Sequence, residues 1–390
     1  MTAQGDSAWA LDRGHAAQKR RARLYESGAR RWGVFVLVVA MVGLMAAGSG
    51  WASAVGVRTA SRAGREWVEQ RVSFRAGGIT IYGTFRHPRT GAGRVPAALL
   101  IAGSGPTDRN GNSPLIPGTV NTLKTLADWL SLDGVATLRY DKLGSGQTGL
   151  GRYASHPERI GIGPFEQEAA AALSFLARQR GVDRGRLAVL GHSDGALFAL
   201  LLATGAAGPT PPIHALGLLE PLAVRYLDII SIQVKGQVSA ALRAGQITPS
   251  EAAKIERSLA SAIHSLRTTG KVPLNLPDGL GKVLNPTSAL FLSQADRHVP
   301  AKLAARLARH LPVIVSCSNA DIQVTCGEVD HLVIGLTRAH ANTDFVRLRD
   351  VDHVLKQDPS HTGANYGAPL PFSKQLQTAL RKFFRTSQVL

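Results

Sequence analysis

Leu187-Ala188-Val189-Leu190-Gly191-His192-Ser193-Asp194-Gly195-Ala196-Leu197-Phe198-Ala199-Leu200-Leu201-Leu202 is the stretch that decides the fold. Its first four residues are a short apolar run, its last seven favour helix, and a glycine stands two places to either side of Ser193. The pattern reads as strand, sharp turn and helix. A tight turn of this kind forces its central residue into strained backbone geometry and needs neighbours without side chains. The serine hydroxyl is then presented above a sheet edge. The helix beneath it directs free N–H groups and a partial positive charge toward any anion formed there. Gly-x-Ser-x-Gly alone is a modest signal in a chain with 41 glycines, and its strand and helix flanks make it specific.

Upstream, 72–74 and 79–85 alternate apolar with polar or small residues around Gly77-Gly78, the pattern of an antiparallel hairpin. Residues 97–102 are a continuous apolar run closed by Gly103-Ser104-Gly105-Pro106, as expected of a strand buried on both faces. A helix over 122–132, a strand over 135–140 and a helix over 165–180 lead into the Ser193 turn, and 215–219 is another buried strand. Strands alternating with amphipathic helices predict an α/β fold, a mostly parallel twisted sheet with helices on both faces. Between about 221 and 286 the pattern turns helical, with Thr248-Pro249-Ser250-Glu251 a good helix start. This insertion is expected as a cap or lid over the carboxyl ends of the strands. Short strands at 289–292 and 313–316, a helix over 328–341, a strand over 344–348 and a last helix over 373–384 complete the reading.

At 390 residues the chain is long enough for one large α/β domain, expected over 72–390. The formal net charge of +18 raises the possibility of nucleic acid, but many of the basic residues stand near the amino end and flank an apolar segment. A membrane accounts for them better, and no nucleic-acid partner is expected. Residues 1–32 read as a basic cytoplasmic leader, 33–55 as a signal peptide or a transmembrane anchor, and 56–71 as a linker. The uncharged stretch exceeds the ~20 residues needed to span a bilayer. Basic residues before it put the remainder of the chain outside the cytoplasm, either membrane-held or, if the leader is cleaved at a site such as Ala52-Ser53-Ala54, secreted or periplasmic. Cys317 and Cys326 are the only cysteines. Either a local disulfide or two thiols fits them. No cysteine or histidine spacing matches a metal site, and no cofactor is expected.

A serine hydroxyl needs a base, and that base needs an orienting carboxylate. His353 follows the last strand in Asp350-Val351-Asp352-His353-Val354-Leu355-Lys356, where an imidazole can reach Ser193; His192 adjoins Ser193 but is expected to face another way. Two carboxylates compete for the third place. Asp321, after the strand at 313–316, is separated from His353 by one helix and one strand, a single crossover unit; Asp296, after the run at 289–292, would leave a surplus strand. Asp321 is preferred. Two backbone N–H groups are expected to face a developing oxyanion, that of Asp194 and that of Ser104, with Gly105 the alternative to Ser104. A phosphate-binding loop is excluded because no Gly-Lys-Ser/Thr follows the glycines.

Gly-Ser-Gly-Pro-Thr-Asp-Arg at 103–109, Gly-His-Ser-Asp-Gly at 191–195, Ala-Asp-Ile-Gln-Val at 320–324 and Asp-His-Val-Leu-Lys at 352–356 occur in the order serine, acid, histidine. In this the chain resembles the α/β-hydrolase-fold serine hydrolases, nearest to esterases and dienelactone-hydrolase-like members, over about 72–384. The resemblance implies Ser193, Asp321 and His353 as a catalytic triad, Ser104 and Asp194 as oxyanion donors, and a small-molecule ester as substrate. It departs from the family where the usual glycine of the acid loop is replaced around Cys317-Ser318, and its cap matches no recognisable type. The expectation is an exported serine hydrolase cleaving a carboxylic ester through an acyl-enzyme. An acyltransferase on the same scaffold and a non-catalytic envelope binding protein are the alternatives.

Overall fold

The computed structural model describes residues 66–89 and 93–387. The leader, the apolar segment over 33–55 and residues 56–65 lie outside these residues, and the end of the expected linker, 67–71, is not linker but the start of the first strand. Among the described residues no helix is long and apolar enough to cross a membrane.

Strands β1 (Trp67–Ala76) and β2 (Ile79–Pro88) form the expected hairpin. Gly77 and Gly78 both have positive φ, 51° and 84°, as a two-residue turn matched to strand twist requires. Six further strands follow: β3 (Val95–Ile101), β4 (Ala136–Tyr140), β5 (Val182–His192), β6 (Ala215–Leu219), β7 (Pro312–Ser318) and β8 (Asn342–Leu348). The sheet order is β1-β2-β4-β3-β5-β6-β7-β8. β2 is antiparallel to β1 and β4, and every pairing from β4 to β8 is parallel. The carboxyl ends of β3 to β8 therefore share one rim.

Every residue of β3, β4 and β6 is buried, because helices cover both faces of the sheet. Side chains alternate between two cores. Leu99, Ile101, Leu187 and Val189 pack with helices α2 (Gly163–Ala177) and α3 (Gly195–Ala203). Ala98, Leu100, Ala188 and Leu190 pack with α1 (Thr122–Leu132) and with the last helix. Eight consecutive residues of α3, Gly195 to Leu202, are buried, which explains its lack of any polar stripe.

The chain between β6 and β7 is helical as expected, and the helices continue beyond 286: α4 (Tyr226–Arg243), α5 (Pro249–Thr269), α6 (Asp278–Gly281), α7 (Pro286–Ala295) and α8 (Pro300–Ala304). Thr248 and Glu251 form the capping box that starts α5. The strand expected at 289–292 is instead part of α7. Asn285 accepts a hydrogen bond from the Ser288 N–H, Pro286 takes the first helical position, and Ala289, Leu290, Phe291 and Leu292 are unbranched at Cβ. Capping and side-chain shape favour helix, and a four-residue apolar run has no periodicity with which to oppose them. The chain ends with α9 (Cys326–Arg338), β8 and α10 (Lys374–Thr386).

Candidate active site

Ser193 follows β5 with φ 55°, and Asp194 is the N-cap of α3. The flanking glycines are required by close approach. A Cβ on Gly191 would collide with the Gly195 carbonyl, and one on Gly195 would collide with the carbonyl of Ile101 on β3. The turn is pinned from β6: the Ser193 N–H donates to the Leu219 carbonyl and the Ser193 carbonyl accepts from the Leu222 N–H, each at 3.0 Å.

Ser193, His353 and Asp321 are brought together in one hydrogen-bonded chain. Ser193 Oγ lies 2.9 Å from His353 Nε2, and His353 Nδ1 lies 2.8 Å from Asp321 Oδ2. Asp321 Oδ1 accepts the N–H groups of Gln323 (2.7 Å) and Val324 (3.1 Å). Burial opposes charge on Asp321, but the imidazole and these amides outweigh it and hold the carboxyl below its usual range. With Nδ1–H donated to the carboxylate, Nε2 is left as an acceptor facing the serine hydroxyl. Such an arrangement can remove a proton from Oγ.

The loops that carry acid and base are tied to each other. Ser318 Oγ accepts the Val351 N–H at 3.2 Å, and Asn319 Oδ1 accepts the Asp350 N–H at 2.7 Å. Asp352 Oδ1 takes the N–H groups of Val354 and Lys356, which closes a tight turn around His353. Cys317 and Cys326 are joined in a disulfide that spans the Asp321 loop. The loop after β3 is built in the same manner. Asp108 accepts the N–H groups of Asn110 and Asn112, while Asp141 accepts the N–H of Arg109 at 2.8 Å and pairs with its guanidinium at 2.5 Å. These side chains shape the loop, and Gly103 and Ser104 face the serine.

Asp296, the alternative acid, is elsewhere. It is the C-cap of α7, and its carboxylate receives the Arg225 and Arg267 guanidinium groups and the Leu227 N–H. It fastens the inserted helices to one another.

Three residues of the site went unassigned in the sequence. His192 does not touch the serine hydroxyl: its Nε2–H donates to the His353 carbonyl at 2.7 Å, and its ring packs against the His353 ring with centroids 5.1 Å apart. Burial, then the neighbouring His353, pushes its pKa down to about 3, so it is neutral and acts as a strut. Glu220, immediately after β6, is fully buried with φ 43° and accepts from Ser316 Oγ at 3.2 Å. Burial and then the nearby Asp321 charge push its pKa well above the usual carboxylate range. Lys142, after β4, has its ammonium buried against the Gly103 carbonyl and 3.8 Å from Asp194 Oδ2. An isolated His, Glu or Lys beside a motif carries no sequence signal of such a role; an unbroken β6 run ending in Glu220 was the one available hint.

The serine opens on a cavity of about 60 Å³ lined by Gly103, Ser104, Ile116, His353, Val354 and Tyr366, among others. A water-sized group occupies ~10–15 Å³ of such space, so roughly five fit. Ser193 itself is 0% exposed. No residue of α4 to α8 is among those that line this cavity, although Tyr226 at the start of α4 is buried beside Ser104 and Asp194. The loops after β3 and β8 close it, and α4 stands behind the acid loop, where the Gln233 side-chain amide donates to the Gln323 carbonyl at 2.9 Å. Among the described residues no group of three or more His, Cys, Asp or Glu side chains is placed to hold a metal ion.

The chain matches no family model and no curated protein. Its fold does match solved structures. One is an esterase of Butyrivibrio proteoclasticus with ferulic acid bound, 16% identical over 81% of this chain and 98% of that one, with a TM-score of 0.50. Another is an esterase of Pyrococcus furiosus, 15% identical over 86% and 99%, also at 0.50. With the sheet order and the serine turn, these likenesses define the architecture. The chain has the α/β-hydrolase fold.

Proposed function

We propose that the protein is a serine hydrolase that cleaves a carboxylic ester with a short acyl group. The observation that carries this reading is the unbroken Ser193–His353–Asp321 hydrogen-bond chain at the strand rim, with distances of 2.9 and 2.8 Å. Fold neighbours that are esterases are consistent with it, and the small cavity supports the acyl size.

Ser193 Oγ attacks the ester carbonyl while His353 Nε2 takes its proton. The carbonyl oxygen becomes an oxyanion facing the N–H groups of Ser104 and Asp194. The C–O bond then breaks, the imidazolium returns the proton to the departing alkoxide, and the acyl group stays on Oγ. Water attacks that acyl-enzyme, passes a proton to His353, and expels Oγ, which recovers it. Asp321 holds the ring in the working tautomer and stabilises the imidazolium. Outside the cytoplasm is the proposed location, supported by the apolar stretch over 33–55 and by the paired cysteines.

Ser193→Ala tests the reading. Hydrolysis of p-nitrophenyl acetate should vanish while circular dichroism is unchanged; hydrolysis at the parental rate removes Ser193 from the reaction.

A further inference from the structure

Lys142 is a lysine where burial is costly: its side chain is 3% exposed, and an ammonium taken out of water is expensive unless paired and hydrogen-bonded. Its surroundings explain why it stays. The ammonium donates to the Gly103 carbonyl and lies 3.8 Å from Asp194 Oδ2. Glu168 on α2 is the third ionisable group of the cluster, and its Oε2 accepts the Leu143 N–H at 2.9 Å. Both residues that the ammonium contacts belong to the serine site.

The geometry of the peptide unit gives the contact its meaning. In a planar trans peptide the C=O of one residue and the N–H of the next point in opposite directions. With the Gly103 carbonyl turned onto Lys142, the Ser104 N–H is turned away from it. Gly103 and Ser104 line the serine cavity, and a Cβ on Gly103 would stand only 3.2 Å from Ser193 Cβ. The same ammonium faces the side chain of Asp194, whose own N–H starts the turn into α3.

We propose that Lys142 is a positioning residue for the oxyanion site: its buried ammonium holds the Gly103–Ser104 peptide and the Asp194 side chain so that two backbone N–H groups converge on one point. This rests on the serine-hydrolase reading above. It assigns to the loop after β4 a part in transition-state binding that does not involve touching substrate.

The test compares the parent, Ser193→Ala and Lys142→Met, full-length where the chain is obtained so, with p-nitrophenyl acetate as substrate and an aryl trifluoromethyl ketone as probe. The ketone adds to the serine and forms an oxyanion where the ester does. Loss of an oxyanion donor lowers kcat by about 10²–10³-fold. Lys142→Met should lower kcat by that order with KM within about twofold, and the inhibition constant of the ketone should rise by the same factor as kcat/KM falls. Should the single variant fail to fold, Lys142→Met/Asp194→Asn removes the buried pair together and carries the same expectation. A parental kcat in either folded variant, or a ketone constant that does not move with kcat/KM, overturns the role of Lys142. Ser193→Ala separates the two levels: full turnover in that variant defeats the serine-hydrolase reading itself, whereas its loss alongside a parental Lys142→Met defeats only the inference about Lys142.

Discussion

Asp321→Asn alters one atom of the site and should nearly silence it. Asp321 Oδ2 receives His353 Nδ1–H at 2.8 Å, and Oδ1 is already engaged by the Gln323 and Val324 N–H groups. An asparagine keeps its carbonyl oxygen on those two amides and turns its NH2 toward Nδ1. That group donates, so Nδ1 must accept, and the ring proton moves to Nε2, 2.9 Å from Ser193 Oγ. The imidazole then has no lone pair facing the hydroxyl. The same tautomer error costs a triad protease ~10⁴ in kcat, equivalent to about 5.5 kcal/mol of barrier. Asp296→Asn is the control. It breaks a buried carboxylate's pairing with Arg225 and Arg267 outside the Ser193–His353–Asp321 hydrogen-bond chain, so it should cost roughly 3 kcal/mol of stability and leave kcat unchanged. Initial rates on p-nitrophenyl acetate, normalised to the folded fraction from urea titrations, measure both. A kcat within tenfold of the parent in Asp321→Asn, or the large loss appearing in Asp296→Asn, would refute the assignment of the acid.

Three further outcomes are expected. Cys317→Ser/Cys326→Ser opens a loop with a sequence separation of 9, which should cost about 3 kcal/mol in a denaturant titration, with a fall in kcat because Asp321 sits inside that loop. His192→Phe leaves the buried His353 carbonyl without its donor, and should cost ~1–3 kcal/mol in stability and lower kcat through misplacement of the base; an unchanged kcat would show that the His353 loop does not need this strut. Burial raises the Glu168 pKa to about 8 from 4.5. Its protonated form is therefore favoured in the folded state, and folding stability from this group falls as pH rises between those values. The melting temperature of Glu168→Gln relative to the parent should climb from pH 4.5 to 8 and level off above; a difference flat across that window would contradict it.

The fold is legible where one element suffices to read it. Leu187 to Leu202 combines an apolar run, two glycines and a helix in sixteen residues, and β3 and β6 announce themselves as apolar runs because both their faces are covered. Asp321 ranks above Asp296 on crossover length, although the run at 289–292 reads as strand while its cap, Asn285-Pro286, already favours helix. The inserted helices before about 286 are legible as helices but not as to where they pack, since that depends on which face each buries. The cavity is closed instead by loops whose shape comes from Asp108, Asp141 and Lys356 reaching across to backbone groups of their own and neighbouring loops. His192, Glu220 and Lys142 are silent for a related reason. Each acts on a backbone carbonyl or a carboxylate that chain order does not place beside it.

The most direct test of the central claim is covalent. The folded protein is treated with a fluorophosphonate, digested, and mapped by mass spectrometry, with Asp321→Asn and Ser193→Ala treated in parallel. One adduct on Ser193, slowed in Asp321→Asn and missing in Ser193→Ala, is the expected result. A folded protein that takes up no label, or takes it up elsewhere while Ser193 stays unmodified, would contradict it.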